Sequence, residues 1–237
     1  MKPYDKQKKL WFKIGAICAF GAFLVMLTEI LLTALPDGAR VEHGIEALYQ
    51  LYERNWFMAM RFMGLMNIFA TSLTLLTTYA LFCAYREKLP FFAGFALLIT
   101  IISYAIFISD NVAFPFLELA QKFTEASSDT QRFQLLAAGE ALYARGASHT
   151  AGTFPGFFIS QLAGILFSVI ILKGKILKKA IGIIGLVAFV FLLIFEIISS
   201  FISHWYNEAI IFAMIGGISA LVWYIMLALD LYKLSKP

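Results

Sequence analysis

The sequence predicts an all-α, polytopic membrane helical bundle: six transmembrane helices with short surface helices on the outer side. Three observations predict it. Of 237 residues, 61% are hydrophobic, only 14% are charged, and the apolar ones gather into six long runs. A water-soluble domain carries about a quarter of its residues as charges. This chain has too few to face water on all sides, so lipid must cover the remainder. The mean hydropathy of +0.80 agrees. In hydrocarbon every backbone amide needs an internal partner, which leaves helices or closed barrels. Short alternating strands are absent, so helices remain.

The runs cover 10–35, 56–84, 89–109, 150–172, 176–203 and 208–234, within a single membrane domain spanning 1–237. About 20 residues suffice to cross the hydrocarbon core. The first run follows the charged stretch Met1-Lys2-Pro3-Tyr4-Asp5-Lys6, which resembles the front of a signal peptide. It is too long for a cleaved signal and carries no small-residue cleavage pattern, so it is expected to stay as helix one. Cys18 and Cys83 both fall in apolar runs and read as small packing groups rather than a disulfide.

Basic residues set the expected orientation. Lysines 2, 6, 8, 9 and 13, Arg86, Lys88, lysines 173, 175, 178 and 179, Lys233 and Lys236 make thirteen on one side. Arg40, Arg54, Lys122, Arg132 and Arg145 make five on the other, in longer loops. The excess places the first side, and both termini, in the cytoplasm of a cell (inner) membrane. Trp11 and Trp223 are read toward the inner boundary, Trp56 and Trp205 at the outer one. This topology explains the net charge of +4, and no basic patch with interleaved aromatics argues for nucleic acid.

Two outer loops hold most of the remaining chain. In 36–55, Ile45, Leu48, Tyr49 and Tyr52 recur at helical spacing opposite Glu42, Glu46 and Glu53, which predicts a helix lying on the membrane surface. The loop 110–149 is too long to be structureless. Ser127-Ser128-Asp129 reads as a helix start, followed by Phe133, Leu136 and Leu142 on one face.

Small residues recur every fourth position in the fourth run, at Gly152, Gly156, Ser160, Gly164 and Ser168, and this predicts close helix approach. Ala213, Gly217 and Ala220 repeat the idea in the sixth. Asn67, Thr71, Thr74 and Thr78 share a face of the second, where interhelical hydrogen bonds are expected rather than a polar conduit.

Ionisable groups inside apolar spans cost about 2.5–3.5 kcal/mol each at mid-helix and mark candidate sites. Glu29, Arg61 and Glu196 lie inside runs; Asp110, His149 and His204 lie at run ends. All six fall near the outer face. An unpaired guanidinium there is expensive, and a carboxylate accepts its donors well, so Arg61 is expected to pair with Glu29, Glu196 or both. These six residues form the predicted ligand-binding set. Its ligand would be a small molecule, a lipid headgroup or a partner, beyond the lipid bilayer itself.

Catalytic signatures are missing: no GxSxG elbow, no phosphate-binding glycine loop, no acidic DxxD motif. His43, His149 and His204 all fall on the outer side, a set able to hold zinc with a carboxylate as base or, in pairs, haem. No HxxxH, HExxH or CxxC spacing supports either, and no cofactor is expected. Glu29-Ile30-Leu31-Leu32-Thr33 and Glu196-Ile197-Ile198-Ser199-Ser200 look alike, an echo that an old duplication of a carboxylate-bearing helix would leave.

Met60-Arg61-Phe62-Met63-Gly64-Leu65, with the helix ending Tyr79-Ala80-Leu81-Phe82, resembles an F-R-x-x-G then A-L-Y pattern. Ser148-His149-Thr150, through Gly152 and Gly164 to the basic hairpin 173–179 and Ile181-Gly182, is similar to an H-S-x-G, glycine-rich helix and I-L-G pattern. Both patterns occur in bacterial six-span membrane proteins grouped as domain of unknown function 4386. The likeness would cover nearly the whole chain, although the second outer loop is longer here. It implies six helices and adds weight to Arg61 and His149 as pattern positions; it supplies no activity. Three readings follow: a membrane-embedded binding protein with an outward-facing polar pocket, a zinc-dependent membrane hydrolase, and a small proton-coupled transporter using Glu29 and Glu196.

Overall fold

The computed structural model describes residues 3–33, 35 and 44–236. Among these it contains helices and no strand. Six helices are long and apolar enough to cross a membrane. They are α1 (Pro3–Thr33), α4 (Leu65–Tyr85), α5 (Pro90–Ser109), α8 (Phe154–Gly174), α9 (Lys179–Phe201) and α10 (Tyr206–Ser235). Four shorter helices, α2 (Gly44–Arg54), α3 (Trp56–Phe62), α6 (Ala113–Glu125) and α7 (Asp129–Gly146), gather at one end. We call this the capped end and the opposite one the basic end.

The long helices form a closed ring. Going round it, α1 packs on α4, α4 on α5, α5 on α8, α8 on α9, α9 on α10, and α10 returns to α1. Helices α1, α4, α5, α9 and α10 expose large apolar side chains on their outer sides, such as Ile17 and Leu24 of α1 or Phe91 and Leu98 of α5.

The ring is tight at the basic end. Phe12, Ala16, Ala80, Leu81, Ile171 and Leu227 belong to one buried cluster there. The turn joining α8 to α9 is pinned to it: Leu177 N–H donates to the Tyr85 hydroxyl at 3.1 Å, and Lys178 N–H donates to Asp230 Oδ2 at 3.2 Å. Lys178 and Lys233 flank the buried Asp230 carboxylate at 3.6 and 3.9 Å. In sequence Asp230 disappears among the lysines that mark the boundary, although it caps the start of α9. Cys18 and Cys83 are buried free thiols.

The predicted small-residue stripe of α8 exists but does not face one neighbour. A Cβ added at Gly156 would meet Phe107 of α5 at 2.8 Å; one added at Gly164 would meet Phe189 of α9 at 2.5 Å. Four residues advance 400° on an ideal helix, so such a stripe drifts by about 40° per step. It therefore serves α5 near the capped end and α9 lower down. In α10 the packing glycine is Gly216, tight against Leu192, whereas Gly217 faces open space. Trp223 corrects another expectation. It is 1% exposed in the core, stacked edge-on to Phe189 and Tyr224, and not at a membrane boundary.

The cap is a small apolar core of its own. Ile45, Leu48 and Tyr49 of α2 are buried with Phe116 and Phe123 of α6. The apolar face of α2 thus meets protein, where a membrane-surface position was predicted. α6 was not foreseen; Val112, Ala113, Phe116, Ala120 and Phe123 form its buried side. α7 begins at the predicted place, with the Ser128 hydroxyl accepting from Gln131 N–H at 3.3 Å. Leu136 and Leu142 pack inward as expected, but Phe133 is 73% exposed. Gly139 is what lets α7 approach Tyr49, whose hydroxyl donates to the Leu135 carbonyl at 3.0 Å.

Burial, then the nearby Glu140 charge, pushes the Tyr49 phenol up to about 12. A free phenol titrates near 10. The folded cap therefore holds the proton more tightly than the unfolded chain, and its stability falls as pH rises from about 10 toward 12. Hydrogen exchange in α2 and α7 should accelerate across that window in the wild type, and Tyr49→Phe should flatten the response.

The second predicted run is broken. Gly64 adopts φ +94°, which glycine reaches without steric cost, and separates α3 from α4. Asn111 Nδ2 closes the break by donating to the Gly64 carbonyl at 2.9 Å. Arg61 thus sits on the short α3, in front of the spanning helix rather than inside it.

Candidate functional site

The six predicted residues do not form one cluster. Two pairs form within the set, Asp110 pairs with a residue outside it and His204 stands alone, all toward the capped end.

Arg61 pairs with Glu29. Its Nε donates to Glu29 Oε1 at 2.8 Å, and Nη2 donates to the Thr33 hydroxyl and, at 3.5 Å, to the Glu29 carbonyl. The guanidinium side chain is 4% exposed and lies 5.1 Å from the Phe62 ring centroid. The α3 helix that carries it is started by Asn55, whose side chain accepts from Met58 N–H at 3.2 Å. Arg61 is therefore occupied by its own chain, as a guanidinium locking α3 onto α1. Glu29 Oε2 is buried and has no hydrogen-bond donor among the described residues.

Glu196 takes a different partner. Its Oε2 lies 2.9 Å from His149 Nδ1, and the Ser200 hydroxyl reaches Oε1 at 3.4 Å. Glu196 is 1% exposed on α9, whereas the His149 side chain is 37% exposed. His149 stacks on Phe157 at 4.8 Å and meets Phe195 edge-on at 4.9 Å. Its backbone is left-handed, with φ 60°. A side chain with a Cβ adopts that region at a cost of about 1–2 kcal/mol. Neighbouring bonds hold it there: Thr150 and Thr153 hydroxyls both donate to the Ala147 carbonyl, at 2.7 and 3.1 Å, and Asn67 donates to Ser148 Oγ at 3.2 Å.

Asp110 ends α5 and pairs with Arg145 of α7 at 3.2 Å, at an exposed position. The hollow beside it, next to Gly64 and Asn67, is about 10 Å³, room for a single water. His204 is exposed beside Trp205 and joins none of these groups. His43 lies outside the described residues. Among the described residues, no three of His, Cys, Asp and Glu come together in a way that could hold a metal ion.

No family model matches this chain, and neither curated proteins nor solved structures return a match. Its function has to be read from its own side chains.

A larger hollow than the one beside Asp110 went unread in the sequence. It is a cavity of about 140 Å³ on the ring axis, and all six long helices line it. Met26, Thr74, Tyr104, Gln161, Leu192 and Tyr224 supply one wall residue from each. Thr74 and Tyr224 hydroxyls bond to each other at 2.8 Å, the interhelical bond that the polar face of the second run predicts. Glu29, Phe157 and Glu196 stand about one helical turn from the cavity walls, toward the capped end. Gln161 was invisible as a signal because one amide in an apolar run has no periodicity.

Proposed function

We propose that this integral membrane protein is a binding protein that holds a small polar ligand or a lipid headgroup at its capped end, with the His149–Glu196 pair as the contact. One observation carries the reading. A carboxylate 1% exposed in a spanning helix has no lysine or arginine partner among the described residues; it meets an imidazole that is itself 37% exposed and held in left-handed backbone. Ionisable groups at membrane depth are retained where they serve binding or proton transfer, and strained backbone gathers at such places.

The surroundings favour a ligand that brings a hydrogen-bond donor or positive charge. Glu196 offers acceptor oxygens, and Phe157 and Phe195 flank the imidazole with aromatic faces. An amine or an ethanolamine headgroup satisfies both. Arg61, already engaged by Glu29 and Thr33, acts as a brace for the neighbouring helices. The thirteen-to-five distribution of basic residues supports a capped end on the extracytoplasmic side of the cell membrane. Kinship with the six-span family named above is part of the same proposal; its pattern positions fall on Arg61, Gly64 and His149, the buried guanidinium and two left-handed residues.

The test is thermal unfolding of the purified protein with ethanolamine, choline or a short-chain phosphatidylethanolamine. Binding should raise the wild-type midpoint by about 3 °C or more at saturating ligand. Glu196→Gln should abolish the shift, and an unchanged shift in that variant would remove the reading. His149→Ala and His149→Gly should both lose it. The glycine variant should unfold at the higher temperature of the two, because it removes the backbone strain.

A further inference from the structure

We infer that the axial cavity is a second binding site, deeper than His149–Glu196, for a small uncharged solute carrying an amide or alcohol group, with Gln161 as its hydrogen-bonding contact.

The inference rests on what each polar wall group already does. The Thr78 hydroxyl donates to the Leu75 carbonyl at 2.9 Å, Thr100 to Ala96 at 2.8 Å, and Ser160 to Phe157 at 2.7 Å. Thr74 and Tyr224 share one hydrogen bond between their hydroxyls. These are the ordinary ways in which hydroxyls are tolerated at membrane depth. Two wall groups depart from this: the Trp223 indole N–H, buried without an acceptor among the described residues, and the side chain of Gln161. Gln161 sits seven residues into α8, two turns from the helix start, and among the described residues its amide has no hydrogen-bond partner. A carboxamide brings two donors and an acceptor, and hydrocarbon satisfies none of them. Something in the cavity has to.

The walls also define the solute. Among the described residues no Asp, Glu, Lys, Arg or His lines the cavity, so none of them compensates a charge there. Phe167, Phe189 and Trp223 supply apolar surface beside Gln161. The volume of about 140 Å³ exceeds the space of one or two waters. A primary amide fits this chemistry best, because it can return both a donor and an acceptor to the Gln161 side chain in one paired contact.

Fluoroacetamide is a suitable probe, followed by its fluorine line width with the protein in nanodiscs. Fluoroethanol serves as the alcohol and fluoroacetate as the charged control. Wild-type discs should broaden the fluoroacetamide line at least threefold over empty discs, and fluoroacetate should not respond. Gln161→Leu, which keeps bulk and removes the amide, should return the line to the empty-disc width. Ala220→Leu, from the facing helix, should do the same by filling the space, and it keeps the test alive if the first variant does not fold. His149→Ala should leave the broadening intact, which separates this site from the capped-end one. Broadening no greater than that of empty discs, or broadening that survives both cavity variants, would overturn the inference. Water alone as occupant predicts the first of those outcomes.

Discussion

Arg61→Leu lowers the yield of folded protein sharply, and adding Glu29→Leu restores much of it. The guanidinium is 4% exposed and holds Glu29 by a 2.8 Å bond, with Thr33 as a further acceptor. Removing it leaves a carboxylate at the membrane edge whose second oxygen already has no donor among the described residues. Breaking one partner of a buried pair costs about 3–5 kcal/mol, mostly from the charge left behind. Glu29 is 40% exposed on its side chain, so solvent takes up part of that and about 2–4 kcal/mol is expected here. The double variant removes the orphaned charge as well. Thermal unfolding midpoints of wild type, both single variants and the double variant supply the full cycle. If the double variant were no better than Arg61→Leu, the pair would not be what fastens α3 to α1.

Gly185→Ala is expected to be nearly as damaging, although it adds one methyl. A Cβ at that position would lie 2.3 Å from Ser168 Oγ and 2.6 Å from Trp223 Nε1. Ser168 is 0% and Trp223 1% exposed, so neither has free space to retreat into. Overpacking of this kind costs about 1–3 kcal/mol and separates α9 from both α8 and α10. Trp223 contributes a second weakness, because its indole N–H is buried without an acceptor among the described residues. Trp223→Phe deletes that donor and the edge that clashes, so Gly185→Ala in a Trp223→Phe background should lose less than half as much. An equal loss in both backgrounds would place the clash on Ser168 instead.

Much of the fold was legible because hydrocarbon imposes a coarse rule. Long apolar runs had to be helices, and six of them are present, although the second begins only at Leu65. Local chemistry was readable too: the Ser128 start of α7, and the amphipathic face of α2. What escaped depended on neighbours. Gly64 in a long apolar stretch looked like one more small residue, and only its left-handed backbone divides α3 from α4. The face of α2 looked ready for lipid because the sequence gives no sign that α6 will cover it.

The site was legible as a set of residues and illegible as a set of contacts. Cost alone singled out Glu29, Arg61 and Glu196, since each is expensive at membrane depth. Which carboxylate meets the arginine depends on the order of helices around the ring. There α1 adjoins α4, while α9 adjoins α8 and brings Glu196 to His149, 47 positions away in the chain. Asp230 was hidden by its lysine neighbours, and Gln161 by its neutrality.

Packing is graded along the bundle axis. Every buried residue described in α1 lies between Phe12 and Ala22, and the Tyr85 and Asp230 contacts fasten the same half. Opening free energies follow the density of buried apolar neighbours. Backbone amides near the basic end should therefore exchange only when the whole molecule unfolds, while those beside Glu29 and His149 exchange through smaller excursions. Any rearrangement that admits a visitor is cheapest as a splaying of the rim over an immobile floor.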